Sequence, residues 1–430
     1  MSTTGITIPY LNNANLVLNL SSRNLGEVVC PASVAPAPDA EAAIDAALDT
    51  PLGTPPLEEM VRGCQRVLVL SDDNTRPTPV AQILPRVLDR LARAGVPPSD
   101  VEILIAAGTH RPMTDQEIEV KLGSTVVRQV RVSRHQCYNP EAVVRVNDPS
   151  AEHEIWLNRK MVEADFVLGI GNVVPHPHVG WSGGAKLLYP GVAGATTIAN
   201  FHLVGVESPL NNLGRDNAPA RIHLENLAES AGLDFAINTV LTPDHRLYKV
   251  FSGNPRLVQS AGRASSREVY GVPVTKRYDI VISNAYPAVL EFWQAGKAIF
   301  SGDLILNPGG TIILIAPCPE GIGVTHPDQV AYLALSQEEL LYRIAKRQVE
   351  DAIAAGVCAM LGHIKKRAKI RVVSSGLNQE DVRAMGFVPS DTVEDALKEA
   401  LAEHGSQAEV AIVTHGGETV PVLDNGHSGR

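Results

Sequence analysis

The feature that most constrains this chain is the alternation, along most of its length, of short apolar runs with helix-length amphipathic segments. The clearest runs are 66–70 (RVLVL), 101–106 (VEILIA), 166–170 (FVLGI), 278–283 (YDIVIS), 311–315 (TIILI), 369–373 (KIRVV) and 409–413 (EVAIV). Runs this short and this apolar read as strands buried on both faces, and helical patterns such as 80–94 and 338–355 lie between them. The expected class is α/β, with mainly parallel sheets covered by helices. A chain of 430 residues is too long for one ordinary core, so two α/β lobes with an active-site cleft between them are expected. The division is placed at 1–272 and 273–430, because within 262–276 a helix gives way to a Gly-Val-Pro turn before a fresh strand. That division leaves the last strand free to pack back on the N-terminal lobe. The Pro- and Ala-rich stretch 31–56 reads as loop, short helix, loop, and no internal repeat stands out.

Charge and cysteine usage exclude whole classes of function. A net charge of −10 argues against nucleic acid or an anionic membrane as partner. It leaves an anionic small substrate open, since a few local cations outweigh distant surface charge once water is excluded. The five cysteines, Cys30, Cys64, Cys137, Cys318 and Cys358, are scattered and form no CxxC pair, so neither a disulfide framework nor a zinc ribbon is expected. No apolar run approaches the ~20 residues of a membrane span, and the start, MSTTGITIPYLNN, lacks the pattern of a signal peptide. The expected compartment is the cytoplasm.

In open α/β sheets, ligands bind beyond the carboxyl ends of the strands. Four polar segments follow predicted strands: SDDNTRPTP (71–79), GTHRPMT (108–114), GNVVPHPHVGWSGGAK (171–186) and NAYPAVLEFWQAGK (284–297). They are expected to converge at the cleft. In the third, Gly180, Gly183 and Gly184 permit close backbone approach to a ligand, and the Leu-Leu run after Lys186 suggests that a helix begins there, which would make a phosphate site. The spacing does not match a Walker loop. A lysine on such a turn, facing a closed cleft, can lose its proton and act as nucleophile or covalent anchor. His176, His178 and His202 suggest metal chemistry, and His110 stands past a strand end where an acid–base would sit. Asp73 suits turn chemistry, Arg76 could bind a carboxylate, and Gln294 and Lys297 share one face of a predicted helix. These residues alone leave open a zinc hydrolase built on His176 and His178 and a non-catalytic binder of a phosphorylated ligand.

Taken together, in their order and spacing, the motifs resemble the nickel-dependent lactate racemase family over most of the chain. That resemblance implies that Lys186, in SGGAK, carries a covalently attached pyridinium-3,5-bisthiocarboxylic acid mononucleotide holding nickel, the nickel-pincer nucleotide, with Gly183, Gly184 and Asp73 as further cofactor-binding residues. It implies His202, sixteen residues downstream, as the protein ligand to nickel, and His110 and His176 as the catalytic pair. Arg76, Gln294, Lys297 and Trp293 fall at substrate-binding positions. The implied activity is inversion of C2 of a 2-hydroxyacid by reversible hydride transfer through a 2-oxo acid, in an enzyme matured by cofactor-building enzymes. The chain departs from the family pattern at His178, an additional imidazole, at Trp181, where phenylalanine is usual, and at Trp293, where lactate racemase has tyrosine. The two tryptophans point to a 2-hydroxyacid longer than lactate.

Overall fold

A computed structural model describes residues 2–11, 14–147 and 153–424. Two six-stranded sheets form its frame. The first runs, in spatial order, Leu247–Gly253, Phe235–Leu241, Phe166–Asn172, Val67–Ser71, Val101–Ile105 and Arg131–Arg134, and only the Leu247–Gly253 edge strand is antiparallel. The second runs Val388–Ser390, Lys369–Val373, Leu306–Ile315, Tyr278–Asn284, Val410–Val413 and Leu25–Val29, parallel throughout. Every residue of Val67–Ser71 and Phe166–Asn172 is buried. Alternation explains this. Val69 and Leu168 enter one core, while Leu68, Leu70 and Val167 enter another on the opposite face.

Each sheet reverses its winding once. In the first the chain leaves Val67–Ser71 toward Val101–Ile105 and then returns to lay Phe166–Asn172 on the other side. In the second it leaves Tyr278–Asn284 toward Leu306–Ile315 and returns at Val410–Val413. These are the switch points at which adjacent loops diverge and open a crevice, and the loops after those strands are the ones the site uses. The lobes also share core: Val173, Val174 and Trp181 pack in one cluster with Val281, Phe292 and Ile299.

The structure corrects the sequence reading in five places. Residues of the first three strands, expected in the N-terminal lobe, lie on the C-terminal sheet: Leu25–Val29 is its edge strand, and the hairpin Thr3–Pro9/Asn15–Ser21 covers its face with Ile8, Leu18 and Leu20. The expected Gly-Val-Pro turn is a strand, Gly271–Val274, paired in parallel with Val420–Leu423. The helix expected over 338–355 is two helices, Gln337–Ala345 and Ala352–Lys365, because Arg347 adopts φ +55 and Asp351 caps the second helix, accepting from the backbone N–H of Ile353 and Ala354. No α-helix starts at Lys186. A single 3-10 turn, Gly184–Leu187, is capped at Leu188 with Pro190 just beyond it, and the next helix is Ala195–Leu203. Gln294 and Lys297 lie on two short helices, Phe292–Ala295 and Lys297–Asp303, with Gly296 between them.

Candidate active site

One cavity of about 1210 Å³, counted to its mouth, opens between the lobes at both switch points. The four polar segments converge on it. Asp73, Arg76, His110, His176, His178, Gly183, Lys186, His202, Trp293, Gln294 and Lys297 all line its wall, whereas Gly180, Gly184 and Trp181 do not: the Trp181 indole, expected to shape the pocket, is buried in the core with its Nε1–H donated to the Gly214 carbonyl.

The loop after Val67–Ser71 is fixed from beneath. Lys121, buried on helix Asp115–Leu122, lies 2.7 Å from Asp72 and donates to the Arg76 carbonyl at 2.7 Å. Asp73 turns the chain by accepting the Thr75 backbone N–H at 3.1 Å and the Thr75 hydroxyl. Its second oxygen lies 2.6 Å from His110 Nδ1. A carboxylate accepts there, so Nδ1 carries the proton and Nε2 keeps its lone pair. Gln294 Nε2 donates to that lone pair at 3.1 Å, and Gln294 Oε1 accepts from Lys297. Burial alone would raise Asp73, but the His110 ring and Arg76 outweigh it and hold the carboxyl well below the usual carboxylate range. Burial moves His110 down despite Asp73, so the ring is a neutral acceptor.

His176 sits on a two-residue strand paired with Gly180–Trp181. The backbone N–H of His178 donates to its Nδ1 at 3.2 Å, which leaves the ring proton on Nε2. The two histidines of the wall therefore stand in opposite states, His110 with an acceptor at Nε2 and His176 with a donor. His178 itself turns inward: Nε2–H donates to the Val204 carbonyl at 3.1 Å, and its ring packs on Phe201 and His202 at 4.9 and 5.4 Å. His202 donates Nδ1–H to the Ile198 carbonyl, one helical turn back, at 2.8 Å and keeps a lone pair on Nε2.

The Lys186 turn depends on two glycines. Gly183 has φ +81, and a Cβ there would stand 2.7 Å from Val173 and 2.8 Å from the Asn238 side chain. Gly184, at φ +57, donates its N–H to Asn238 Oδ1 at 2.8 Å, so its role is to hold the turn. Among the described residues no acceptor pairs with the Lys186 amine. Burial, then Arg76 and Arg221, drive it well below the usual lysine range. Lys297 is driven down likewise by burial, Arg76 and Lys186. The cavity thus holds three basic side chains, Arg76, Lys186 and Lys297, that disfavour one another's charge, while its carboxylates are committed, Asp72 to Lys121 and Asp73 to His110. Such a site favours an anion, whose arrival relieves the mutual repulsion.

The chain matches the family profiles described as the lactate racemase N-terminal domain, over residues 11–214, and the lactate racemase C-terminal domain, over residues 274–421. It belongs to the lactate racemase family. Two relatives of this family are similar over most of the chain. The lactate racemase of Thermoanaerobacterium thermosaccharolyticum is 27% identical over 375 residues, which is 86% of this chain and 88% of the relative. That of Lactiplantibacillus plantarum is 28% identical over 388 residues, 87% and 89% respectively. The solved structure of the T. thermosaccharolyticum lactate racemase apoprotein superposes with a TM-score of 0.86 at 26% identity, covering 98% of this chain and 100% of that one. A protein from Thermotoga maritima shares the fold alone, with a TM-score of 0.70 at 21% identity over 91% and 100% of the two chains.

Several residues of the family-type cleft escaped the sequence reading. Val357, Met360 and Leu361, on helix Ala352–Lys365, add an apolar stretch to the wall, and Gly356 of that helix packs against His202. Buried Arg221 donates to the carbonyls of Trp181 and Gly183 and so braces the Lys186 turn. Glu418 is buried near Lys297, on the loop after Val410–Val413, and burial pushes its carboxyl up to about 7 against the pull of Lys297 and Arg76. None carries a local motif. Only the long-range packing marks them. Among the described residues no helix is long and apolar enough to cross a membrane.

Proposed function

We propose that this protein is a nickel-dependent racemase or epimerase that inverts C2 of a 2-hydroxyacid. The observation that carries the reading is the pair of imidazoles on one cavity wall in opposite hydrogen-bonding states, beside Arg76 and Lys297, which favour a carboxylate. Family membership and relatives named lactate racemase support the racemase class.

The residues present fit the nickel-pincer nucleotide. Lys186 offers an amine with a weakened hold on its proton, His202 offers an Nε2 lone pair, and Gly183, packed against Val173 and Asn238, lets the turn present Lys186 to the cavity. Lys186 would hold the group covalently and His202 would ligate nickel. When bound, the group supplies a hydride acceptor and donor for C2. The protein supplies the rest. Arg76 and Lys297 bind the substrate carboxylate and orient C2. The substrate hydroxyl displaces the Gln294 amide from His110 Nε2, which takes the hydroxyl proton of one enantiomer while Asp73 stabilises the resulting imidazolium. His176 Nε2–H meets the oxygen presented on the other hand. The closed, largely apolar cleft keeps water from the 2-oxo acid until it is reduced again. Maturation by cofactor-building enzymes completes this reading.

A zinc hydrolase on His176 and His178 finds no support. His178 points away to Val204, and among the described residues no three His, Cys, Asp or Glu side chains converge on a metal position.

The test is solvent isotope incorporation. Racemisation in D2O by enzyme loaded with nickel cofactor should give inverted product with almost no deuterium at C2, read by NMR, and 2-deuterated substrate should keep its label. Stoichiometric wash-in would mean proton abstraction from carbon, and the reading would fall.

A further inference from the structure

Behind the substrate wall lies a second Asp–His relay that mirrors the first. Asp73 and His110, of the N-terminal lobe, receive Gln294 from the C-terminal lobe. Asp351 and His326, of the C-terminal lobe, receive Thr109 from the N-terminal lobe: His326 Nδ1 lies 2.6 Å from Asp351 Oδ2, and its Nε2 lies 2.9 Å from the Thr109 hydroxyl. The carboxylate fixes the proton on Nδ1, so the hydroxyl donates to Nε2. His326 is fully buried. The catalytic reading makes no use of it. Its ring lies under the Trp293 indole, with centroids 4.1 Å apart and planes 28° from parallel.

This arrangement fixes what a substrate can meet. One face of the indole is spent on His326, so only the other face and the edges are left for the cavity that Trp293 lines. Behind it, the Trp293 backbone N–H donates to the Ile322 carbonyl at 3.1 Å, and Gln329 holds the same carbonyl at 2.8 Å. The second oxygen of Asp351 caps helix Ala352–Lys365, which brings Val357, Met360 and Leu361 to the same cavity. One carboxylate therefore sets both the stacked indole and the aliphatic helix face in register. Both ring nitrogens of His326 are committed, so the support is rigid and its contribution to the wall is apolar.

We propose that His326 is a specificity-determining positioning residue: pinned between Asp351 and Thr109, it holds Trp293 as a flat apolar wall that selects 2-hydroxyacids bearing an aryl or bulky alkyl group at C3 over lactate. The proposal rests on the racemase reading and deepens it. The methyl of lactate reaches little of such a wall, whereas a phenyl ring lies against it.

The experiment compares both enantiomers of lactate and 3-phenyllactate on the nickel-loaded full chain. Wild-type kcat/KM should favour 3-phenyllactate by about tenfold or more, in the range one hydrophobic contact provides. His326→Ala should raise KM for 3-phenyllactate about tenfold with kcat within about threefold, and leave lactate within about twofold. His326→Phe restores a ring beneath the indole and should recover most of the loss. A second readout needs neither cofactor nor turnover. In full chain labelled with 5-fluorotryptophan, His326→Ala and Thr109→Val should move or broaden the 19F signal of Trp293, assigned with Trp293→Phe, and leave Trp156 and Trp181 in place. If His326→Ala does not fold, His326→Phe and Thr109→Val carry the same comparison. Equal losses of kcat on both substrates, or an unmoved Trp293 signal, would overturn the proposal. A loaded wild-type enzyme inactive on every 2-hydroxyacid overturns the racemase reading and its selectivity, while the fluorine signal alone still decides whether His326 holds Trp293.

Discussion

The two walls of the cleft differ in kind. The N-terminal wall carries almost all the reactive groups, Asp73, Arg76, His110, His176, Lys186 and His202, each on backbone held by buried partners such as Lys121, Asn238 and Ile198. The C-terminal wall brings Gln294, Lys297 and Gln329, and is mostly apolar elsewhere, with Phe292, the indole of Trp293 and the face of Val357, Cys358, Met360 and Leu361. Chemistry and selection are thus laid on separate lobes, and the cleft is complete only where they meet. The residues 109 to 111 do the meeting: Thr109 reaches His326, His110 reaches Gln294, and Arg111 joins Glu320 at 2.8 Å.

The largest effect that would test this division belongs to Lys186. Lys186→Ala should abolish both the cofactor adduct seen by intact mass and racemisation, by more than about 10⁴-fold, while circular dichroism and Tm stay near wild type. Retention of activity would remove the chemical wall as described. Next, His110→Gln should lower kcat by roughly 10²–10⁴-fold, the range of one general base, with nickel retained. Its neighbour across the cleft, Gln294→Ala, should mainly raise KM, about fivefold, consistent with one lost hydrogen bond. Equal kcat losses in the two variants would erase the distinction between the walls.

The smallest expected effect is on stability. Glu418, with its carboxyl raised to about 7, is protonated in the folded protein over a pH range where an unfolded glutamate is ionised. Its contribution to stability is therefore fully present below the unfolded pKa and is lost as pH rises toward about 7. Glu418→Gln mimics the protonated form throughout. Its Tm relative to wild type should rise by a few degrees as pH climbs from about 4.5 to 7 and then level off, as linkage of this size predicts. A difference that is flat in pH would mean that Glu418 is ionised in the folded state and paired.

What was legible in the sequence follows from how local each signal is. Strands such as Phe166–Asn172 announce themselves because burial on both faces makes every position apolar or small. The Lys186 turn, GTHRP and the Asp73 loop are contiguous motifs, and the structure brings them to one cavity as their positions after strand ends imply. His326 and Arg221 could not be read, because each acts on residues distant in the chain: Thr109 is 217 positions from His326, and the carbonyls of Trp181 and Gly183 are 40 and 38 from Arg221. The strand Gly271–Val274 resembled a turn because it contains a proline, yet it pairs only with Val420–Leu423, where the missing N–H is tolerated. The first strands gave no sign of their lobe, since an apolar run does not say which sheet it joins.

That last feature sets an order of assembly. The edge strand Leu25–Val29 leaves the ribosome long before Val410–Val413, its partner in the sheet among the described residues, with Thr414 bonding Val29 across 385 positions. The N-terminal sheet is complete in sequence once Leu247–Gly253 has emerged, so the lobe bearing the reactive groups can close while the selecting lobe still lacks its edge. Through that interval the segment carrying Ile8, Leu18, Leu20 and Val29 has its apolar side chains and strand hydrogen bonds without their final partners. During synthesis, then, the strands Thr3–Pro9, Asn15–Ser21 and Leu25–Val29 need shielding until Val410–Val413 has emerged to receive them.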